Sequence, residues 1–298
     1  MKISVIIASY NRSQNLVRFL GEIENQVVPV GSDWEVIIVD NNSTDGTREQ
    51  VASFVDRDPR RFKYLHESRQ GKSDSLNRGI RQATGDIFAF TDDDCIPNPD
   101  WLASILGEFN SDPSLDVVGG RVELYNNQDR PVSIRTCPDR TRISTYGQLF
   151  ALLIGCNMAA HRRVFESVQG FDPLLGPGKR TLALEDMDFL YRAYRRGFKM
   201  IYAPEILLYH NHGRRNDNEI ESLSHAYVLG RGAFYCKHIL KRDKDILKMA
   251  YWEVSSLSKG MIRELRAGDK LNGYSRLLWA LFLGAGYRLA SSLRYQKT

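Results

Sequence analysis

The sequence is poor in cysteine, with 4 in 298 residues: Cys95, Cys137, Cys156 and Cys236. No two are close together, so neither a zinc knuckle nor a disulfide framework is suggested, and a reducing compartment fits best. Internal repeats and low-complexity tracts are absent. Long apolar runs are also missing. The nearest to a membrane span, residues 277–287, is short and is followed by Arg288. The apolar run at the N-terminus, Ile3 to Ile7, is too short for a signal peptide and reads as a first strand. That strand is followed by neither G-x-G-x-x-G nor a Walker loop, but by Ser9-Tyr10-Asn11-Arg12. A dinucleotide oxidoreductase and a P-loop NTPase are thereby disfavoured. A cytoplasmic protein is expected.

What is present is an ordinary apolar content, 42%, on a chain long enough to bury a sizeable core. The net charge of +5 is unevenly spread. Residues 214–298 hold 16 Lys/Arg against 8 Asp/Glu, whereas the first 213 hold 25 against 28. A basic C-terminal part can meet nucleic acid, anionic lipid or a phosphorylated substrate, or can be a solvated helical surface. Only the charge suggests nucleic acid, and no such partner is expected.

Apolar periodicity gives an alternating order of elements. Strands are expected at 3–8, 34–39, 62–65 and 87–91, with helices at 13–26, 44–55 and 73–83 between them. The pattern specifies an α/β fold with a mostly parallel central sheet flanked by helices. Further on, 101–109 reads as a helix, 117–124 as a strand, 126–145 as a loop and 181–196 as a helix. Short strands are expected at 199–202 and 206–209. From Glu219 onward the spacing is mostly helical. Two domains are expected: 1–215 as the catalytic domain and 216–298 as a basic, mostly helical extension.

In such sheets, ligands bind beyond the carboxyl ends of the strands. Two acidic features lie there. Asp92-Asp93-Asp94 ends the fourth strand. Adjacent carboxylates repel one another unless cations compensate them, and Mg²⁺ or Mn²⁺ with a substrate diphosphate would do so. An acidic turn capping a helix is the structural alternative. Asp40 ends the second strand, where a carboxylate can accept hydrogen bonds from a base or ribose. Glu185-Asp186 opens a helix. Helix-dipole stabilisation explains such acids, and so does a general base acting on an acceptor hydroxyl. His210 and His212, alternate residues at a strand end, could share one face and supply a metal ligand.

Several motifs occur in a fixed order. They are Ser4-Val5-Ile6-Ile7-Ala8-Ser9-Tyr10-Asn11-Arg12, the run Val39-Asp40 through Thr47, Gly71-Lys72 with Leu76-Asn77-Arg78-Gly79, and Ala83-Thr84-Gly85-Asp86 leading to Asp92-Asp93-Asp94. Then come Pro99-Asp100-Trp101-Leu102, Gly155-Cys156-Asn157-Met158, Gly170-Phe171-Asp172 and Glu185-Asp186. Together they resemble the family 2 glycosyltransferases, which have the GT-A fold, over residues 2–215. The resemblance implies a Rossmann-like sheet and an inverting transfer from a nucleotide sugar (UDP-, GDP- or dTDP-linked) to a saccharide or lipid-linked saccharide acceptor. Ser9, Tyr10, Arg12, Asp40 and Lys72 are implied at the nucleotide, Asp93 at the ribose and Asp92 in support. Asp94 is implied as metal ligand, with His210 as a second ligand and His212 as its rival. Gly155, Cys156 and Asn157 resemble the loop over the donor sugar. Asp186 matches the catalytic base, with Glu185 beside it binding acceptor or donor sugar. Cys95 stands where many members have a fourth Asp, a position that is not the usual metal ligand.

Two other classes share some of these features. A sugar-phosphate nucleotidyltransferase also uses acidic metal ligands but usually has a Gly-rich basic loop after its first strand. A non-catalytic carbohydrate-binding protein would not need Asp186. In the extension, Trp252, Leu257, Met261, Leu277, Leu278, Trp279, Leu281 and Phe282 stand among basic residues. They suit peripheral contact with the inner face of the cell membrane, or packing on the catalytic domain or a second subunit of a homo-oligomer.

Overall fold

The computed structural model describes residues 1–267 and 273–295; residues 268–272 and 296–298 of the extension lie outside the described residues. The first half follows the expected alternation. β1 (Lys2–Ser9), β2 (Asp33–Asp40), β3 (Phe62–His66) and β4 (Ile87–Asp92) are separated by α1 (Ser13–Glu24), α2 (Thr47–Arg57) and α3 (Lys72–Gln82). These four strands run parallel, in the order β3-β2-β1-β4. Their β-branched residues are buried on both faces, and α1 lays Leu16, Phe19, Leu20 and Ile23 into the core.

One carboxylate interrupts the apolar run of β2. Glu35 is fully buried and accepts hydrogen bonds from Ser4 Oγ (2.7 Å), Thr84 N (2.7 Å) and Lys63 Nζ (2.6 Å). It ties β1, β3 and the turn before β4 to β2. Burial resists its charge, but Lys63, Ser4 and Thr84 outweigh that and lower its pKa to about 2.

The second half is mixed. β5 (Cys95–Pro97), α4 (Trp101–Ser111), β6 (Val117–Leu124), β7 (Thr141–Arg142) and α5 (Tyr146–Leu152) come first. A 3₁₀ turn (Gly155–Asn157), β8 (Met158–His161), α6 (Arg162–Val168), α7 (Glu185–Arg195) and β9 (Met200–His210) follow. Across the sheet the order is β3-β2-β1-β4-β8-β6-β9-β5, with β7 also on β9. β8 is antiparallel to β4 and β6; β9 is parallel to β6 and antiparallel to β5.

The stretch expected as a loop at 126–145 holds the two-residue strand β7, and three expectations about helices and longer strands change. α2 opens at Thr47 rather than 44, because Asn11 Oδ1 accepts the Thr44 N–H at 2.7 Å and Asp45 Oδ1 accepts that of Thr47 at 3.2 Å. α7 opens at Glu185 rather than 181, because Leu182 and Leu184 have φ of 62° and 75°. A left-handed residue cannot continue a right-handed helix. The two short strands near 199–209 are one strand, β9, whose register with β6 shifts between Gly120 and Arg121. A side chain at Gly120 would collide with the Ile206 carbonyl and the Asn157 amide.

The chain divides into two compact units. One comprises Met1–Phe171 with Asp186–Arg215; the other comprises Asp172–Glu185 with the residues from Asn216 on. The second contains α8 (Asp217–Ile239), α9 (Lys244–Ala267) and α10 (Tyr274–Tyr295). Asn216 and Glu219 cap α8 reciprocally. α8 and α10 approach through glycines: a Cβ on Gly232 would strike the Leu281 carbonyl, and one on Gly284 the Leu229 carbonyl. Asp172 pairs with Lys237 Nζ and Arg288 Nη1, each at 2.7 Å, which fastens the 172–185 segment to α8 and α10. Among the described residues, no helix is long and apolar enough to cross a membrane.

Candidate functional site

The carboxyl ends of β1 and β4 are adjacent, so the loop after β1 meets the acidic run. Ser9 Oγ donates to Asp93 Oδ2 at 2.7 Å. Arg12 Nη1 donates to Asp93 Oδ1 at 3.1 Å and to Asp94 Oδ2 at 2.7 Å. Lys72, at the start of α3, donates to Asp92 Oδ1 at 2.5 Å. Each of the three carboxylates therefore faces a cation, which offsets their mutual repulsion. Burial lifts Asp93 up to about 6, against the pull of Arg12 and with added repulsion from Asp94. Burial acts on Asp94 likewise, but His210 and Arg12 hold it well below the usual carboxylate range.

β5 leaves the acidic run antiparallel to β9, and the register sets Cys95 opposite His210. His210 is buried, with Nε2 3.3 Å from Asp94 Oδ1. Burial disfavours the imidazolium, yet Asp94, Cys156 and Asp92 together raise its pKa to about 9. Oδ1 of Asp94 is buried and has no aligned hydrogen-bond donor among the described residues. Ligand atoms of Asp94, Cys95 and His210 all lie within 4.8 Å of one another. An unsatisfied buried carboxylate oxygen facing an imidazole nitrogen fits a divalent cation, and the Cys95 sulfur adds a softer donor. His212 is turned away from this cluster. Its Nδ1 accepts the Arg214 N–H at 2.9 Å, and its ring packs edge-on against His210 at 5.0 Å.

The loop after β2 sits beside the loop after β1, joined by the Asn41 N–H to the Ser9 carbonyl at 2.8 Å. Asp40 is buried there. Its Oδ1 accepts the Ser43 N–H at 2.9 Å, and its Oδ2 accepts the Tyr64 hydroxyl at 2.6 Å. Each oxygen keeps a second lone pair for a ligand. Tyr10 is half exposed beside them.

Asp186 enters through the turn Gly155–Asn157. Its Oδ2 accepts the Gly155 N–H at 2.8 Å, and its Oδ1 accepts the Met187 N–H at 2.7 Å. A Cβ on Gly155 would lie 2.6 Å from that of Asp186, so glycine is what allows the approach. The next residue, Cys156, is buried beside Cys95 and His210. Asn157, expected over the donor sugar, instead points its amide into the fold. It accepts from Trp101 Nε1 at 2.9 Å and donates to the carbonyls of Arg121 and Ile206, both at 2.8 Å. Only its backbone is left for a ligand. Glu185 is buried within the other unit, against Gly176, whose φ is +100°.

Ser9, Arg12, Lys72, Asp92, Asp93, Asp94, Cys156 and His210 thus converge, and Gly155 links Asp186 to them. Sequence reading discounted Cys95 and missed Tyr64. The pairing of β5 with β9 and of β2 with β3 brings each of them in, and no local motif marks either.

The sequence profile of Glycosyl transferase family 2 matches residues 4–169. Glycosyltransferase AglE of Haloferax volcanii is 37% identical over 122 residues, 41% of this chain and 40% of that protein. A dolichol-phosphate mannosyltransferase of Pyrococcus furiosus is 30% identical over 131 residues, 42% of this chain and 36% of that one. The chain therefore spans well under half the length of these curated relatives. Among solved structures, the mannosyltransferase PcManGT of Pyrobaculum calidifontis, in complex with GDP-Man and Mn²⁺, superposes with a TM-score of 0.67. Its identity is 22%, with 97% of this chain and 87% of that one covered. TarS of S. aureus, in complex with UDP, gives 0.60 at 19% identity, covering 78% and 65%. At these identities the likeness is one of fold.

Proposed function

Because the chain belongs to glycosyl transferase family 2, we propose that it moves a sugar from a nucleoside-diphosphate sugar to an acceptor hydroxyl, inverting the anomeric carbon. The observation that carries this reading is one turn touching two acidic sites. Gly155 N–H holds Asp186, and Cys156 lies beside Cys95 and His210, next to Asp94.

In this reading the base and ribose meet Tyr10, Asp40, Ser9 and Asp93. Arg12 and Lys72 also line the nucleotide, with Asp92 in support, and Gly155, Cys156 and the Asn157 backbone approach the donor sugar and its phosphates. Asp94 and His210, with Cys95 alongside, would hold Mn²⁺ or Mg²⁺. Such an ion, when bound, offsets the negative charge that develops on the leaving nucleoside diphosphate. Asp186 takes the acceptor proton as the hydroxyl attacks. Two backbone N–H groups orient its carboxylate for that role. Glu185, next to Asp186 in sequence, binds the acceptor or the donor sugar. The acceptor class is a saccharide or lipid-linked saccharide, used at the cytoplasmic face for polysaccharide or glycolipid synthesis.

A thermal-shift screen tests the donor half. The neighbours' complexes make GDP-mannose and UDP-sugars with Mn²⁺ the first probes, followed by dTDP-sugars and Mg²⁺. A ligand that binds only the folded chain raises its melting temperature, by about 2.7 kcal/mol of stability at a hundredfold excess over Kd. A metal-dependent rise with one nucleotide sugar is expected. If none of them shifts the melt, while sugar 1-phosphate and NTP release pyrophosphate, the chain is a nucleotidyltransferase instead.

A further inference from the structure

The helical unit presents a surface that carries none of the residues assigned to the donor site. α9 runs 24 residues, and its two sides differ sharply. Ile246 and Leu257 are buried. The helix's three acids, Asp245, Glu253 and Glu264, are half-buried. Glu253 accepts from Arg231 Nε at 2.8 Å and from the Tyr235 hydroxyl at 2.6 Å, both on α8. Glu264 accepts the Tyr274 N–H at 3.2 Å.

The opposite side is apolar and basic. Leu247, Tyr251, Ile262 and Leu265 are 55%, 66%, 44% and 52% exposed, and their spacing sets them along one edge of the helix. Lys244, Lys248, Lys259, Arg263 and Arg266 are exposed beside that edge, with Trp252 among them at 64% exposure. Among the described residues of the helix, no exposed acid stands on this side. α10 carries a second apolar stripe, with Trp279 and Phe282 exposed three residues apart.

An apolar edge bordered by cations, aromatic in part and free of exposed acids, matches an anionic bilayer. There the rings sit among the headgroups and the cations face lipid phosphates. A protein partner would have to match both an apolar edge and a row of five cations, a pairing that an anionic lipid surface supplies without specific contacts. We infer that the outward side of α9 docks on the surface of a membrane rich in anionic lipid, lying in its plane.

Cosedimentation of the full chain with vesicles tests this. Phosphatidylcholine vesicles with about a third phosphatidylglycerol should bind it, and pure phosphatidylcholine vesicles should bind it weakly. Each cation near the surface is worth about a fivefold change in partitioning, so Lys248→Gln/Lys259→Gln/Arg263→Gln should lower binding about a hundredfold. Tyr251→Ser/Trp252→Ser should weaken binding even at low salt, where attraction between charges is least screened. The two variants change different residues, so misfolding of one, seen in its melting temperature, leaves the other as the test. Three results overturn the inference: no binding of the wild type to anionic vesicles, undiminished binding by the folded variants, or light scattering that shows a dimer which Tyr251→Ser/Trp252→Ser makes monomeric. Donor-induced thermal shifts should be the same in both variants, so this surface and the donor site succeed or fail separately.

Discussion

Gly155 and Asp186 form a pair in which the smaller residue determines where the larger one points. With no Cβ, Gly155 brings its N–H to Asp186 Oδ2 at 2.8 Å; with one, the new carbon would press on the Asp186 side chain. Gly155→Ala should therefore displace the carboxylate and lower kcat by about tenfold to a hundredfold. Asp186→Asn removes the base without adding bulk and should abolish transfer. Donor affinity, read by titration calorimetry with the nucleotide sugar and Mn²⁺, should stay near wild type in Asp186→Asn. Near-normal turnover by Asp186→Asn would show that another group takes the proton. Beside this pair, Asp94 and His210 follow a different logic. Each is buried, and each favours the other's charged form, with Arg12 adding to that at Asp94.

Elements, more than single residues, determine how the sheet holds the site. β2 would read as wholly apolar in its middle but for Glu35, which bonds to β1, β3 and the turn before β4. Its pKa is depressed on folding from 4.5 to about 2. A depressed carboxylate stabilises the fold above its unfolded pKa, and that stability is lost as pH falls through the folded one. The contribution is on the order of 3 kcal/mol at neutral pH. Urea unfolding of wild type and Glu35→Gln should show a gap of that order at pH 7 that closes between about pH 4.5 and pH 2. A gap independent of pH would mean that shape, not charge, is what Glu35 supplies. The same scale explains the register of β9. The bulge opposite Gly120 lets one long strand serve β6 along its length and still deliver His210 to the end of the acidic run.

At the scale of the whole molecule, two units share one chain, and the segment 172–185 belongs with the helices although it lies within the first 215 residues. Asp172 is the fastener, a carboxylate with its side chain 10% exposed between Lys237 and Arg288. Removing one partner of a buried ion pair leaves charge uncompensated, so Asp172→Asn should destabilise the helical unit by about 3 kcal/mol. Trp252 and Trp279 lie in that unit and Trp34 and Trp101 in the other, so fluorescence of single-Trp variants can follow each unit's melt. Equal loss in both would mean that they unfold as one.

Much of this was legible in the residues alone. The alternation of β1 through β4 with their helices, and the placing of Asp40 and Asp92-Asp93-Asp94 at strand ends, follow from apolar period and turn chemistry. Both are written within a few neighbouring residues. The ordered motifs pointed to a family, and the profile match bears that out. What only the tertiary structure decided are the facts of register and partnership. His210 rather than His212 faces Asp94, Cys95 joins them, the Asn157 side chain braces the fold, and residues 172–185 leave their sequence neighbours for α8 and α10. Each depends on which strands or helices lie side by side across long stretches of chain. A strand slipped by two residues would set His212 in the place of His210, on the same face and with nearly the same local pattern. The two histidines, two residues apart, are alike in sequence; the pairing of β5 with β9 makes them different.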